Sequence, residues 1–249
     1  MRALAADLAR MLNPLQVADD VGITLDDWQA ALLESEEERV LINASRQAGK
    51  STTTSILAVN QALAEPGLIL AASPSQRQSG ELFRKICETL RAVKPAPEFS
   101  LESATRLELA NGSRIVALPG SESTVRGYSA PSLILIDEAA RVEDDLYAAL
   151  RPMLATGNGR LIALSTPWGR RGWFFEAWEY GGPSWRRFRV PATDCGRISE
   201  AFLAEELRAL GPLRFGSEFL CEFADTSEAY FASSLIEAAL SDTVVPLWM

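Results

Sequence analysis

The chain has 249 residues, 47% of them hydrophobic and 23% charged, enough for one large domain or one domain with a small lobe, and enough to bury a core without covalent staples. Lysine and arginine total 24 against 33 acids, a net charge of −9, and histidine is absent. That absence excludes Ser-His-Asp and Cys-His nucleophiles, HExxH zinc sites and any imidazole base, and the acidic balance argues against coating duplex DNA by bulk charge, though not against a few arginines gripping it.

The N-terminus carries Arg2 and Arg10, but Asp7, Asp19 and Asp20 interrupt it, and no apolar run resembles a signal segment. No stretch approaches the ~18–20 apolar residues of a membrane span, so no membrane partner is expected. The acidic block at residues 34–38 (ESEEE) reads as a solvated helix end or loop. Residues 39–43 (RVLIN) predict a buried strand, and 51–64 a helix stopped by Pro66-Gly67. Residues 68–72 (LILAA) predict a second strand. Leu82, Phe83, Ile86 and Leu90 recur at helical spacing over 76–92.

Cys87, Cys195 and Cys221 are odd in number and widely spaced, which fits a reduced intracellular protein without a disulfide framework or zinc knuckle. Residues 105–118 read as a hairpin, because Asn111-Gly112 separates two alternating runs. The apolar runs at 133–136 (LILI) and 160–165 (RLIALS) fit parallel strands covered on both faces, with 185–190 a candidate edge strand. Beyond about residue 191 the pattern turns helical, over 199–210 and 213–221. The expected fold is α/β, with a mainly parallel sheet flanked by helices. Its core is expected over 1–195, with a small helical lid or linker over 196–249.

The segment from Ala44 to Thr52 (ASRQAGKST) follows a strand and opens a helix, the context a phosphate loop requires. Successive N–H groups from Ser45, Arg46, Gln47, Ala48 and Gly49 onward would curl around a phosphate, and the helix N-terminus adds its positive end. Gly49 permits close backbone approach. Lys50 would reach the β- and γ-phosphates of ATP, with Ser51 placing a hydroxyl on Mg2+ and Thr52 completing the loop. The first glycine of the usual GxxxxGK[ST] pattern is replaced by Ala44, so the bland alternative is a capped helix with an exposed lysine. The second half of the motif is LILIDEAA, residues 133–140, two acids at the end of an apolar strand. Asp137 is the candidate Mg2+ holder and Glu138 the candidate group that polarises the attacking water.

Together SRQAGKS, LILIDEAA and LSTPWGRRGWFFEAW (164–178), with RFGSEFLCEF (214–223), resemble the N-terminal ATPase domain of the large terminase subunit of tailed phages. The resemblance runs from about residue 22 to 235, and with the two motifs it implies a P-loop NTPase fold of RecA-like (ASCE) type. It implies that alanine in place of the first glycine is ordinary, and that Arg46 contacts the γ-phosphate in cis. It also implies that Gln29 reads adenine, with Trp28 beside it as core or a stacking wall. Arg126 matches the arginine that such motors extend to a neighbouring subunit's ATP, with Arg141 as the competing candidate. Ser165, Thr166 and Pro167 match the coupling motif that feels loss of the γ-phosphate.

The implied activity is Mg2+-dependent ATP hydrolysis driving double-stranded DNA into a procapsid. The implied partners are further copies in a ring, a portal protein and the small terminase subunit. The implied setting is the infected host's cytoplasm, docked on the procapsid portal. The family's C-terminal nuclease domain has no room before Met249, so nuclease activity is not expected. A helicase-like DNA-dependent ATPase and a nucleotide-switched interaction module are the alternatives. Arg170-Arg171 and Arg186, Arg187 and Arg189 interleave with Trp168, Trp173, Phe174, Phe175, Trp185 and Phe188. This pattern suits an aromatic core with arginines at its rim better than a DNA-facing surface.

Overall fold

Parallel strands buried on both faces must be apolar throughout, and those runs are the strands of the sheet. The computed structural model describes residues 8–10, 12–118, 120, 125, 127–155, 157–224 and 239. Within them the strands are β1 (Arg39–Ala44), β2 (Leu68–Ala72), β3 (Phe99–Glu102), β4 (Arg106–Leu109), β5 (Arg114–Ala117), β6 (Leu133–Asp137), β7 (Arg160–Ser165) and β8 (Arg186–Val190). They form one sheet in the order β3-β4-β5-β2-β6-β7-β1-β8. All neighbours from β5 to β8 run parallel, and β3 and β4 are the antiparallel edge.

Alternate strand residues feed opposite faces, as the period of two requires. Val40, Ile42, Leu133 and Leu135 belong to one apolar cluster, and Leu41, Ile134 and Ile136 to the other. The first cluster is closed by α1 (Gln16–Asp20), α2 (Asp27–Leu33), α3 (Lys50–Ala64) and α4 (Gln76–Ala92), which supply Val17, Leu32, Ile56 and Ile86. The second is closed by α5 (Asp144–Leu150) and α6 (Gly172–Tyr180), through Leu146, Trp173 and Phe174. Burying each such side chain stabilises by about 1.5–3 kcal/mol, so the three-layer sandwich holds the strand ends rigidly.

Local signals set the element ends. α3 stops at Glu65, just before Pro66-Gly67. Ser75 caps α4, its hydroxyl accepting from the Gln78 N–H at 3.4 Å. The β4–β5 hairpin turns at Asn111-Gly112, with Gly112 at φ 94°. β8 takes its expected place as an edge strand, paired with β1. β3 and the helices α2, α5 and α6 emerge beyond the elements anticipated from the sequence.

Two further helices, α7 (Glu200–Leu210) and α8 (Pro212–Phe219), follow β8 and meet at Gly211. They bury Leu203, Phe215 and Phe219 with Ala192 in a third cluster, apart from the two sheet clusters. The aromatic-core expectation holds for Trp173, Phe174, Phe175, Trp185 and Phe188, which are buried. Arg187 covers that rim by donating to the carbonyls of Trp178, Gly182, Trp185 and Ala177. Trp168 departs from it and is 44% exposed. Cys87, Cys195 and Cys221 are free, buried thiols.

Candidate nucleotide-binding site

The site grows from the end of β1. Ser45 N–H continues the pairing with β8 by donating to Val190 O at 2.9 Å, and Arg46 N–H donates to Glu218 O on α8 at 3.0 Å. The chain then turns through Gln47 at φ 61° and Gly49 at φ 91° into α3. Glycine is required at 49. A Cβ there would sit 2.7 Å from Gln29 Nε2 and 3.3 Å from Arg197 Nη2, in a left-handed backbone that side chains resist. An α-helix leaves its first N–H groups without internal partners, so the start of α3 is a ready anion cradle.

Lys50, the first residue of that helix, folds back over the loop. Its Nζ donates to Ala44 O at 2.8 Å and Ser45 O at 2.7 Å. Burial pushes the Lys50 ammonium below its ordinary pKa, opposed by the nearby negative charges of Glu138 and Asp137. Arg46 extends the other way, into a two-pronged ion pair with Glu218. That bond raises the Arg46 pKa and, with the charges of Arg141 and Arg214, holds Glu218 below the usual carboxylate range although burial acts against it.

The acids come from the end of β6. Burial, followed by repulsion from Glu138, pushes the Asp137 carboxyl up to about 6, against the pull of the Glu138 N–H, Lys50 and Lys85. Glu138 takes a left-handed conformation, φ 51°, and its N–H donates to Asp137 Oδ1 at 3.0 Å. This sharp turn throws the Glu138 side chain toward the loop. Its Oε2 accepts from Arg141 Nη1 at 2.7 Å.

β7 lies between β1 and β6. Asn43 pairs in register with Ser165, and Asp137 with Leu164. The segments following Ala44, Ser165 and Asp137 therefore leave the sheet side by side at one edge, the carboxyl ends of the strands.

Gln29, Arg46, Gln47, Ala48, Gly49, Lys50, Ser51, Thr52 and Glu138 line one cavity of about 580 Å³. Gln29 is doubly held there: its Oε1 accepts the Asp26 N–H at 2.9 Å, and its Nε2 donates to Thr53 Oγ1 at 2.7 Å. One further donor hydrogen and one lone pair stay available on that amide. Ser51 and Asp137 share an adjoining cavity of about 370 Å³. Ser45 is buried behind the loop, and Trp28 packs against the core.

Ser165 and Thr166 are buried, with Ser165 Oγ donating to Thr166 O at 2.6 Å, and Pro167 O accepts from Ser217 Oγ at 2.9 Å. Of these three residues Pro167 thus bonds to α8, and none lines either cavity. Arg126 lies outside the described residues, as do residues 225–238 and 240–249 of the expected lid.

Three site residues escaped the sequence reading. Lys85 on α4 lines both cavities, and its only sequence signal is that the chain has few lysines. Arg197 lines the larger one, fastened to Asp26 Oδ1 at 2.8 Å and Ala48 O at 3.1 Å. Glu218 holds Arg46 from 172 positions away, a pairing no local pattern reveals.

A parallel sheet with a strand inserted between the loop strand and the acid strand, and a glycine-lysine loop opening a helix at its carboxyl edge, defines a P-loop NTPase fold. Residues 41–238 match the family model described as terminase large subunit, T4likevirus-type, N-terminal, and the chain belongs to that family. It is 27% identical to the large terminase subunit of Thermus virus P23-45, an alignment covering 82% of this chain and 50% of that protein. The chain therefore spans about half the length of that relative.

Its fold is shared with the large terminase ATPase domain of Thermus phage P74-26, at a TM-score of 0.74 and 23% identity, covering 83% of this chain and 97% of that one. It is also shared with the large terminase of another thermophilic bacteriophage, solved in complex with ADP. There the TM-score is 0.62 at 11% identity, over 86% of this chain and 53% of that one.

Proposed function

We propose that the chain is the ATP-hydrolysing motor region of a viral large terminase subunit, using ATP to move double-stranded DNA into a procapsid. The observation that carries this reading is the meeting of Lys50, Arg46 and Glu138 around one cavity at the sheet's carboxyl edge. Membership of the terminase family and the ADP complex of a relative with the same fold support it.

The residues have separable roles. The loop N–H groups and Lys50 bind the phosphates, Gln29 reads the adenine with Arg197 beside it next to Gly49, and Arg46 meets the γ-phosphate. Glu138 takes a proton from water as the water oxygen bonds to the γ-phosphorus. The bridging P–O bond breaks, and ADP leaves with its electron pair.

The donor set suits Mg2+: Ser51 offers a hydroxyl and Asp137 a carboxylate to the same small cavity, both hard oxygen ligands. Bound there, Mg2+ would supply charge neutralisation on the phosphates. Residues 1–195 form the ATPase core and 196–249 a lid, a division supported by the separate cluster of α7 and α8. Arg126 is the arginine offered to a neighbouring subunit's ATP. The partners are duplex DNA, further copies of the chain, a portal protein and the small subunit, in the host cytoplasm. Among the described residues no helix is long and apolar enough to cross a membrane.

Titration with ATPγS and Mg2+, followed by steady-state turnover of ATP, tests the site. Lys50→Ala is expected to lose affinity and turnover together, and unchanged binding would overturn the phosphate-loop assignment. Turnover per subunit is expected to rise with protein concentration or on addition of portal, and Arg126→Ala to abolish that rise while binding survives.

A further inference from the structure

Glu138 does not stand alone. The Arg141 guanidinium is gripped on two sides: Nη1 donates to Glu138 Oε2 at 2.7 Å, and its central carbon lies 4.3 Å from the centroid of the Trp168 ring. Glu138 and Arg141 side chains are 28% and 25% exposed, sheltered enough for the bond to hold where a surface pair would contribute little. A cation over an indole face is attracted by the ring's electron density. Trp168 directly follows the coupling motif Ser165-Thr166-Pro167, and the Pro167 carbonyl is tied to α8 through Ser217. A continuous set of contacts therefore runs from α8 and the coupling segment, through one tryptophan and one arginine, to the carboxylate.

We propose that Arg141 is a positioning residue for Glu138, and that Trp168 makes this position depend on the coupling segment. Arg141 holds Oε2, which leaves Oε1 to receive the proton from water. Trp168 holds Arg141 from the other side, so a shift of residues 165–168 displaces the carboxylate. An Arg141 that reached into a neighbouring subunit would have to abandon both contacts, so the geometry points to action within its own chain. The inference rests on the reading of Glu138 as the group that polarises water.

The test measures ATP turnover and ATPγS affinity separately, for wild type, Arg141→Ala, Arg141→Lys, Trp168→Ala, Trp168→Phe and the double alanine variant. Arg141→Ala is expected to lower kcat by about tenfold or more, within the range that misplaced proton-accepting groups cost, with ATPγS affinity inside about twofold. Arg141→Lys recovers part of the loss by restoring the charge. Trp168→Ala lowers kcat by about three- to tenfold, and Trp168→Phe recovers it by restoring an aromatic face. The double variant is no slower than Arg141→Ala alone, because both changes act through one contact chain.

Unchanged kcat in Arg141→Ala overturns the proposal, and so does an equal loss of affinity, which would mark a phosphate ligand. A double variant whose loss is the product of the two single losses overturns the Trp168 part. If Arg141→Ala fails to fold, the Trp168→Ala and Trp168→Phe pair decides, since that exposed ring tolerates replacement. Glu138→Gln separates the two readings. Normal turnover in it removes the role of Glu138 itself, whereas slow turnover in it with normal turnover in Arg141→Ala removes this inference alone.

Discussion

Arg46 in the phosphate loop and Glu218 on α8 meet in a two-pronged ion pair, Nε to Oε2 at 2.5 Å and Nη2 to Oε1 at 3.2 Å. On the role proposed for Arg46, a γ-phosphate competes with this carboxylate for the same guanidinium. Glu218→Gln removes the competing charge, and is expected to raise the preference for ATPγS over ADP by about three- to tenfold. Arg46→Ala is expected to erase that preference. Calorimetric titration with both nucleotides reads the ratio, and an unaltered ratio in both variants would release Arg46 from the γ-phosphate.

Glu138→Gln keeps the size of the side chain but cannot take a proton. It is expected to bind ATP normally and hydrolyse it at least ~100-fold more slowly. Single-turnover kinetics on saturated protein measures the chemical step directly, and near-wild-type rates would assign the proton to another group.

Asp137 links stability to pH. Its carboxyl is raised to about 6 when folded, against about 3.9 in an unfolded chain. Between these values the folded state holds a proton that the unfolded state lacks. Stability therefore falls as pH rises through this window, and the loss is complete above about pH 6. In chelator-treated, nucleotide-free protein, Asp137→Asn is expected to be more stable than wild type at pH 8 by about 1–3 kcal/mol and indistinguishable at pH 4. Denaturant titrations at pH 4, 6 and 8 check this; parallel curves for the two proteins would contradict it.

Gly49→Ala combines a left-handed backbone with a Cβ 2.7 Å from Gln29 Nε2. The backbone alone costs about 1 kcal/mol. The displaced Gln29 also gives up its bonds to Asp26 and Thr53. Thermal denaturation is expected to show a drop of several degrees, with loss of ATPγS affinity. A variant that binds as wild type does would mean the loop can reshape around the methyl group.

The parallel strands were legible because burial on both faces demands uninterrupted apolar runs, as in LILI at 133–136. The edge strand β3 was not, since most of it is exposed and its pairing with β4 carries an irregularity that local pattern does not encode. The candidate loop at 44–52 was visible as a turn because a strand end and a helix start are adjacent there in sequence, and Asp137 and Glu138 because they close an apolar run. Lys85, Arg197 and Glu218 reach the site from separate elements, so only the folded chain brings them there. Trp168 was grouped with its buried aromatic neighbours because composition does not distinguish a ring under an arginine from a ring in the core.

The position of β7 has a mechanical consequence. A strand bonded along both long sides, to β1 on one and β6 on the other, is stiff over its length and can yield only at its tip. Freedom to respond is thus confined to Thr166 and the residues just after it. On the coupling role proposed for Ser165, Thr166 and Pro167, news of a departing phosphate has a single peptide to cross before it leaves the rigid body of the sheet.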